Sequence, residues 1–344
     1  MDIKSYCIDF NWENSGTFAR PGLWAKANPS DHVQWYKTMG ANVIQTFCVS
    51  CNGYAWYNSD VVPPQPGLEH DFLRDVVRQG HQEGMKVMGY FCISANSRWG
   101  KENPALSYGS PSAYHIPYTD LYLEYLAQAI TDAVKTTGID GFMIDWVWMP
   151  NRKANAGLWI ESEKILYEQL MGQVFPGEKN LSPQQDMTYS RAAIERTWKT
   201  IHKAAKAANP DCLLWLTTNQ VEHPHVFNSQ MYRDVEWLMG EQGKLNEIEE
   251  LKISLGTNSQ FITCMSDFGH SDATVEVPNA IEAGIGLYGY AKPTEETGLI
   301  PLDNILSSDL SQLSGNEQRI AVMARAYRGK SLSSIWKDGD FFET

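Results

Sequence analysis

Positive charge is scarce in this chain. Its 344 residues carry 28 Lys and Arg against 41 Asp and Glu, a formal net charge of −13. An acidic surface is repelled by phosphate backbones and by anionic bilayers, which argues against nucleic acid or an anionic membrane as a partner and fits a neutral substrate. Long apolar runs are also missing, so no membrane span is expected. No secretory leader is expected in these residues, since the first predicted strand starts a few residues after Met1. The chain is therefore cytoplasmic, or periplasmic or secreted if a leader has been removed, and the sequence does not choose. Cysteine is sparse, at positions 7, 48, 51, 92, 212 and 264. Four of these fall inside predicted strands far apart in sequence, so buried free thiols are expected rather than disulfides. Cys48-x-x-Cys51 has no second CxxC and no nearby His pair, so a zinc or redox role is not expected. Disorder-prone stretches and composition breaks are absent as well, which predicts one domain over residues 1–344.

Aromatic residues are plentiful: 12 Trp, 16 Tyr and 12 Phe. Many belong to the core, but an excess of Trp is also what a sugar-stacking cleft needs, since pyranose C–H faces pack on aromatic planes. Short apolar runs predict strands at residues 6–12, 42–48, 86–92, 142–144, 212–217, 235–239, 261–265 and 285–290. Amphipathic stretches fall between them. Ser30 is a plausible N-cap for a helix closed by Gly40. Residues 71–83, 120–136, 191–208 and 316–328 follow the same helical period. Eight strands alternating with helices predict an α/β fold, a single (β/α)8 barrel. The connection over about residues 150–190 is long for such a barrel and is read as a wall of the cleft, with a short helix at 164–171.

Polar side chains recur where predicted strands end: Asp9, Asn11, Asn96, Asp145, Asn219, Glu222, Glu241 and Asp267. In a parallel barrel all of these ends open on one face, where ligands bind. Acids and aromatics with few basic residues suit glycoside hydrolysis, which needs two carboxyl groups flanking the anomeric carbon. Asp145 closes the glycine-fed strand Gly141-Phe142-Met143-Ile144 and has Trp146 and Trp148 beside it. A buried carboxylate there needs a partner or a chemical role. Strands four and six are alternate strands of the barrel, so Glu241 is expected to face Asp145 across the mouth, with Trp237 or Tyr288 raising its pKa. Glu222 is the competing acid/base. A structural role stays open for each of these acids. His223 and His225 form a lone HxH, more suited to sugar hydroxyls or a loop cap than to a metal. Asp9 and Asp267 either orient neighbours or touch substrate, and Trp56, Trp99, Trp146 and Trp148 divide between core and cleft.

Three segments resemble the α-L-fucosidase type of glycoside hydrolase, family 29 and its clan. Residues 42–59 (NVIQTFCVSCNGYAWYNS) are similar to that family's strand and loop ending in His-His-Asp-Gly-Phe…Trp-x-Ser. Residues 84–91 (GMKVMGYF) look like its Gly-Leu-Lys-x-Gly-x-Tyr-Tyr strand. Residues 139–145 (IDGFMID) look like its Ile-Asp-Gly-x-Trp-x-Asp nucleophile strand. The resemblance implies that Asp145 is the nucleophile of a retaining exo-glycosidase. Ser50 and Cys51 stand where the family has its sugar-contacting His-His pair, and Asn52 replaces its Asp, which leaves the sugar open. Residues 158–210 and 235–243 look more like uncharacterised barrel hydrolases of polysaccharide-degrading bacteria.

The expectation is thus a retaining α-glycosidase with Asp145 as nucleophile and Glu241 or Glu222 as acid/base. Asp9, Asn11, Asn52, Trp56, Asn96, Trp99, Trp146, Trp148, Asn219, His223, Asp267 and Tyr288 are the candidate sugar contacts. No cofactor and no bound metal are expected. A carbohydrate-binding barrel without hydrolysis, or a metal-dependent hydrolase built on His223 and His225, are the alternatives. Oligomeric state, linkage and anomer are not legible.

Overall fold

Short apolar strands must bury both faces, and amphipathic helices supply the cover for the outer one. A computed structural model describes residues 3–14, 17–109, 114–217, 221–241, 259–266 and 272–329. In it the strands are β1 (Ser5–Ile8), β2 (Trp12–Asn14), β3 (Thr17–Phe18), β4 (Val43–Val49), β5 (Lys86–Cys92), β6 (Gly141–Asp145), β7 (Leu213–Thr217), β8 (Trp237–Gly240), β9 (Gln260–Met265) and β10 (Gly286–Ala291). All but β2 and β3 form one closed barrel in the order β1-β10-β9-β8-β7-β6-β5-β4, and neighbours run parallel. The (β/α)8 barrel expected from the strand count is the observed fold.

The helices are α1 (Pro29–Met39), α2 (Phe72–Gln82), α3 (Ser97–Glu102), α4 (Asp120–Thr137), α5 (Glu161–Met171), α6 (Pro183–Ala208), α7 (Met231–Asp234), α8 (Ala273–Glu282), α9 (Leu302–Ser307) and α10 (Gly315–Tyr327). Three local expectations are corrected. The first strand does not run from Tyr6 to Trp12: it ends at Ile8, and Trp12 begins the small antiparallel β2–β3 hairpin. The N-cap of α1 is Asn28, whose side chain accepts from the Ser30 N–H at 2.8 Å, and Pro29 takes the first helical position where a missing N–H costs nothing. Helix α6 starts at Pro183, not at Arg191, because Ser182 and Gln185 form a capping box there.

Below the mouth the barrel is plugged. Trp215 of β7 meets Tyr288 of β10 edge-to-face with ring centroids 5.0 Å apart, and Trp237 packs against Trp215 at 5.7 Å. The Tyr288 hydroxyl donates to Gln45 Oε1 of β4 at 3.3 Å, crossing the interior. Such a floor of large side chains turns the barrel into a packed core with one open end. The seam between β1 and β10 is covered by the end of α10. There the Tyr327 hydroxyl lies 2.8 Å from the Ser5 carbonyl and 3.1 Å from the Leu287 carbonyl, and Lys4 Nζ donates to the Tyr327 carbonyl at 2.8 Å. All six cysteines are buried and free, as expected. Among the described residues no helix is long and apolar enough to cross a membrane.

Candidate active site

The cavity at the carboxyl end of the barrel has a volume of about 340 Å³. Its walls come from six of the eight barrel strands and the segments that follow them. Cys7, Asp9 and Asn11 follow β1, and Trp12 opens the hairpin. Phe47 and Tyr90 come from β4 and β5, Met143 and Asp145 from β6, Met239 and Glu241 from β8, and Tyr288 and Tyr290 from β10, with Trp146 and Trp148 at the rim. Three carboxyl groups line this space, and no Lys or Arg among the described residues does.

Side-chain alternation explains how Asp145 arrives there. Met143 and Asp145 share the inward face of β6, in register with Tyr90 and Cys92 of β5. The Tyr90 hydroxyl donates to Asp145 Oδ2 at 2.8 Å, and the Trp146 N–H donates to Oδ1 at 2.8 Å. Burial pushes the Asp145 carboxyl up to about 6, and these two donors hold it from rising further. Burial raises Glu241 more, to about 7, and the negative charge of Asp145 adds to the rise. The Thr217 hydroxyl, 3.4 Å from Glu241 Oε2, opposes it. Asp9 is also pushed up to about 7 by burial, opposed by the Asn11 N–H at 2.7 Å and reinforced by Asp145. Burial thus raises all three acids above a free carboxyl, and Asp145 is the one whose anion is supported by both a hydroxyl and a backbone N–H.

Trp146 pays for its position in backbone strain: its φ is +60°, a region that bulky residues rarely enter. Its ring lies 5.4 Å from Trp148, 5.6 Å from Phe18 and 5.7 Å from His115. The Tyr118 hydroxyl, 2.7 Å from the Trp148 carbonyl and 3.3 Å from that of Trp146, ties the turn down. The strained turn aims an aromatic wall over the carboxylate beside it.

Of the sequence candidates, Asp9, Asn11, Asp145, Trp146, Trp148, Glu241 and Tyr288 meet in this cavity. Others lie elsewhere. Trp56 is buried against Phe10 and donates to Ser50 Oγ, and Trp99 is buried against Tyr122. Asn52 is committed to its own loop, donating to the Ala19 carbonyl and Gln65 and accepting from the Tyr54 N–H. Asn96 caps α3 through the Trp99 N–H. Glu222 and His223 are exposed on a turn, where the His223 and His225 rings lie 4.4 Å apart; among the described residues no third ligand joins them. Trp237 sits in the floor, not beside Glu241. Asn219 and Asp267 fall outside the described residues. From the long connection over residues 150–190, none is among the lining residues; Arg152 of that segment instead binds the fully buried Glu163, which also accepts from Tyr108 and Tyr189.

The reading of strand ends missed the inward side chains one step below: Cys7, Phe47, Tyr90, Met143 and Met239. Counting back by two from Asp145, and carrying that parity across the register to β5, would have found Met143 and Tyr90.

A family model described as hypothetical glycosyl hydrolase 6 matches residues 28–146, a segment that runs from α1 through Asp145. No curated protein matches the sequence. Among solved structures, α-L-fucosidase isoenzyme 2 from Paenibacillus thiaminolyticus superposes with a TM-score of 0.69 at 14% identity, over 96% of this chain and 49% of that one. An Anoxybacillus α-amylase gives 0.57 at 11% identity, over 96% and 78%. The α-amylase from Geobacillus thermoleovorans gives 0.53 at 11%, with the same coverage. The chain spans about half the length of the Paenibacillus enzyme. Identities this low speak for a common fold: the chain is a (β/α)8 barrel similar to those of glycoside hydrolases.

Proposed function

We propose that the protein is a glycoside hydrolase that removes a terminal sugar with retention of configuration. The observation that carries the reading is the pair Asp145 and Glu241 lining one cavity, both carboxyls raised by burial, with Asp145 held by the Tyr90 hydroxyl and the Trp146 N–H. Two carboxyl groups in such different surroundings are suited to divide the work of a nucleophile and a proton donor. In the first step Asp145 attacks the anomeric carbon while Glu241 protonates the departing oxygen. In the second, Glu241 removes a proton from water, which hydrolyses the glycosyl ester. Trp12, Trp146 and Trp148 offer planes for the C–H faces of the sugar, and the size of the cavity suits one ring better than a continuous chain. Support for the sugar class comes from the family match and the sequence resemblance to α-L-fucosidases; the identity of the sugar is a matter for a substrate panel.

On any aryl glycoside that the wild type turns over, Asp145→Asn is expected to lower turnover by roughly a thousandfold or more while circular dichroism is unchanged and Tm does not fall. Asp145→Gly supplied with azide is expected to regain turnover and release a glycosyl azide. Turnover unaffected by the substitution would remove Asp145 from the mechanism, and hydrolysis without azide rescue would argue against a covalent step.

A further inference from the structure

A second concavity of about 530 Å³ lies beside the active-site cavity, lined in part by Phe18, Arg20, Tyr54, Arg98, Lys101 and Tyr114. These side chains come from the segments that follow β1, β4 and β5, which are adjacent strands, so the groove opens on the same carboxyl-terminal face as the cavity. The wall between the two is the hairpin residue Phe18, whose ring lies 4.8 Å from Trp12 and 5.6 Å from Trp146, both of the cavity.

The charges of the two spaces are opposite. The cavity holds Asp9, Asp145 and Glu241; the groove holds Arg20, Arg98 and Lys101 against a single acid, Glu102. Arg20 pairs with Glu13 and Arg98 with Glu102. Lys101 is exposed, with its ammonium 6.0 Å from the Tyr114 ring centroid, and has no carboxylate at ion-pair distance among the described residues. The floor is built rather than incidental. Arg98 is buried, donates to the Gly53 carbonyl at 2.8 Å and lies over the Tyr54 ring, and a Cβ on Gly100 would fall 2.3 Å from the Tyr114 Cβ. Close approach of Tyr114 to α3 therefore needs glycine there.

We propose that this groove is the subsite for the leaving part of the substrate, and that it takes a saccharide unit bearing an anionic substituent, a carboxylate or a sulfate ester. The proposal rests on the glycosidase reading above and deepens it. An anionic sugar is disfavoured in the cavity, which offers it the Asp145 carboxylate and no Lys or Arg among the described residues, and is attracted by Lys101 outside it, so the charge pattern sets the register: neutral ring inside, charged unit outside. Tyr54 and Tyr114 give that outer unit aromatic edges to pack on.

The test measures binding, not hydrolysis, so it can fail independently of the glycosidase reading. Calorimetry on the Asp145→Asn protein would compare a disaccharide of a neutral hexose on a reducing-end galacturonate with its methyl ester, and the same hexose on a reducing-end galactose sulfate with its desulfated form, at low and high salt. At least one charged probe is expected to bind tenfold or more tighter than its neutral counterpart. Salt should narrow that gap, and Lys101→Glu should close it. The two pairs of probes decide between carboxylate and sulfate. Equal binding of charged and neutral forms, no binding of either charged probe, or a gap that survives Lys101→Glu would each overturn the proposal. If Asp145 proves dispensable for turnover while the charge preference holds, the groove stands and the mechanism falls.

Discussion

Tyr90 shows how one hydroxyl sets the working range of the site. Its donation to Asp145 favours the ionised carboxylate that attack requires. With Asp145 needed as the anion and Glu241 as the acid, kcat/KM is expected to follow a narrow bell, falling below about 6 and above about 7. Tyr90→Phe removes the donor and leaves the ring. The lower limb should then move to higher pH and the optimum should fall by roughly ten- to a hundredfold, a loss typical of one positioned hydrogen bond. A pH profile of the variant checks this, and an unmoved lower limb would separate Tyr90 from Asp145. The same residue marks a limit of sequence reading. Asp145 stands out because a carboxylate at the end of an apolar run is anomalous; Tyr90, inside such a run, looks like core until the register brings it beside Asp145. Asn52 and Asn96 mislead in the opposite direction. Asn52 sits in the loop after a predicted strand and Asn96 at a strand end, yet their amides are committed to loop backbone and to a helix cap.

Among elements, β6 tolerates least. A Cβ on Gly141 would fall 2.2 Å from the Leu213 carbonyl oxygen of β7, a contact with backbone that no rotamer can relieve. Gly141→Ala is therefore expected to destabilise the protein by about 1–3 kcal/mol or more, whereas Gly138→Ala, with open space around its Cβ, should cost only the strain of its positive φ. Denaturant midpoints of the two variants would show the difference, and equal midpoints would contradict it. The barrel strands were legible because buried parallel strands are apolar runs bounded by glycine and polar ends. The β2–β3 hairpin was not: strands of three and two residues are too short for any period to register. The start of α6 was obscured by its polar first turns, where the Ser182–Gln185 capping box carries the signal instead of hydrophobicity.

For the whole molecule, three buried acids in one cavity make function and stability compete. Asp9, Asp145 and Glu241 all bind protons more tightly in the folded chain than in the unfolded one. Their contribution to stability is therefore complete below about pH 4 and is lost as pH rises through about 6 to 7. Asp9→Asn keeps an acceptor for the Asn11 N–H and removes one of these charges. It is expected to raise Tm at pH 8 by a few degrees, with the gain fading toward pH 4; a scan across that range checks it, and a gain independent of pH would point to packing instead. Destabilising charge concentrated at the site of chemistry is the usual trade between stability and activity.

The seam that closes the barrel has a consequence for biosynthesis. The first and last strands pair only once residue 291 has been made, so the edge of β1 stays unprotected while most of the polypeptide is still being made, and position 327 then pins the joined seam. A nascent chain stalled before β10 offers open strands to other copies of itself.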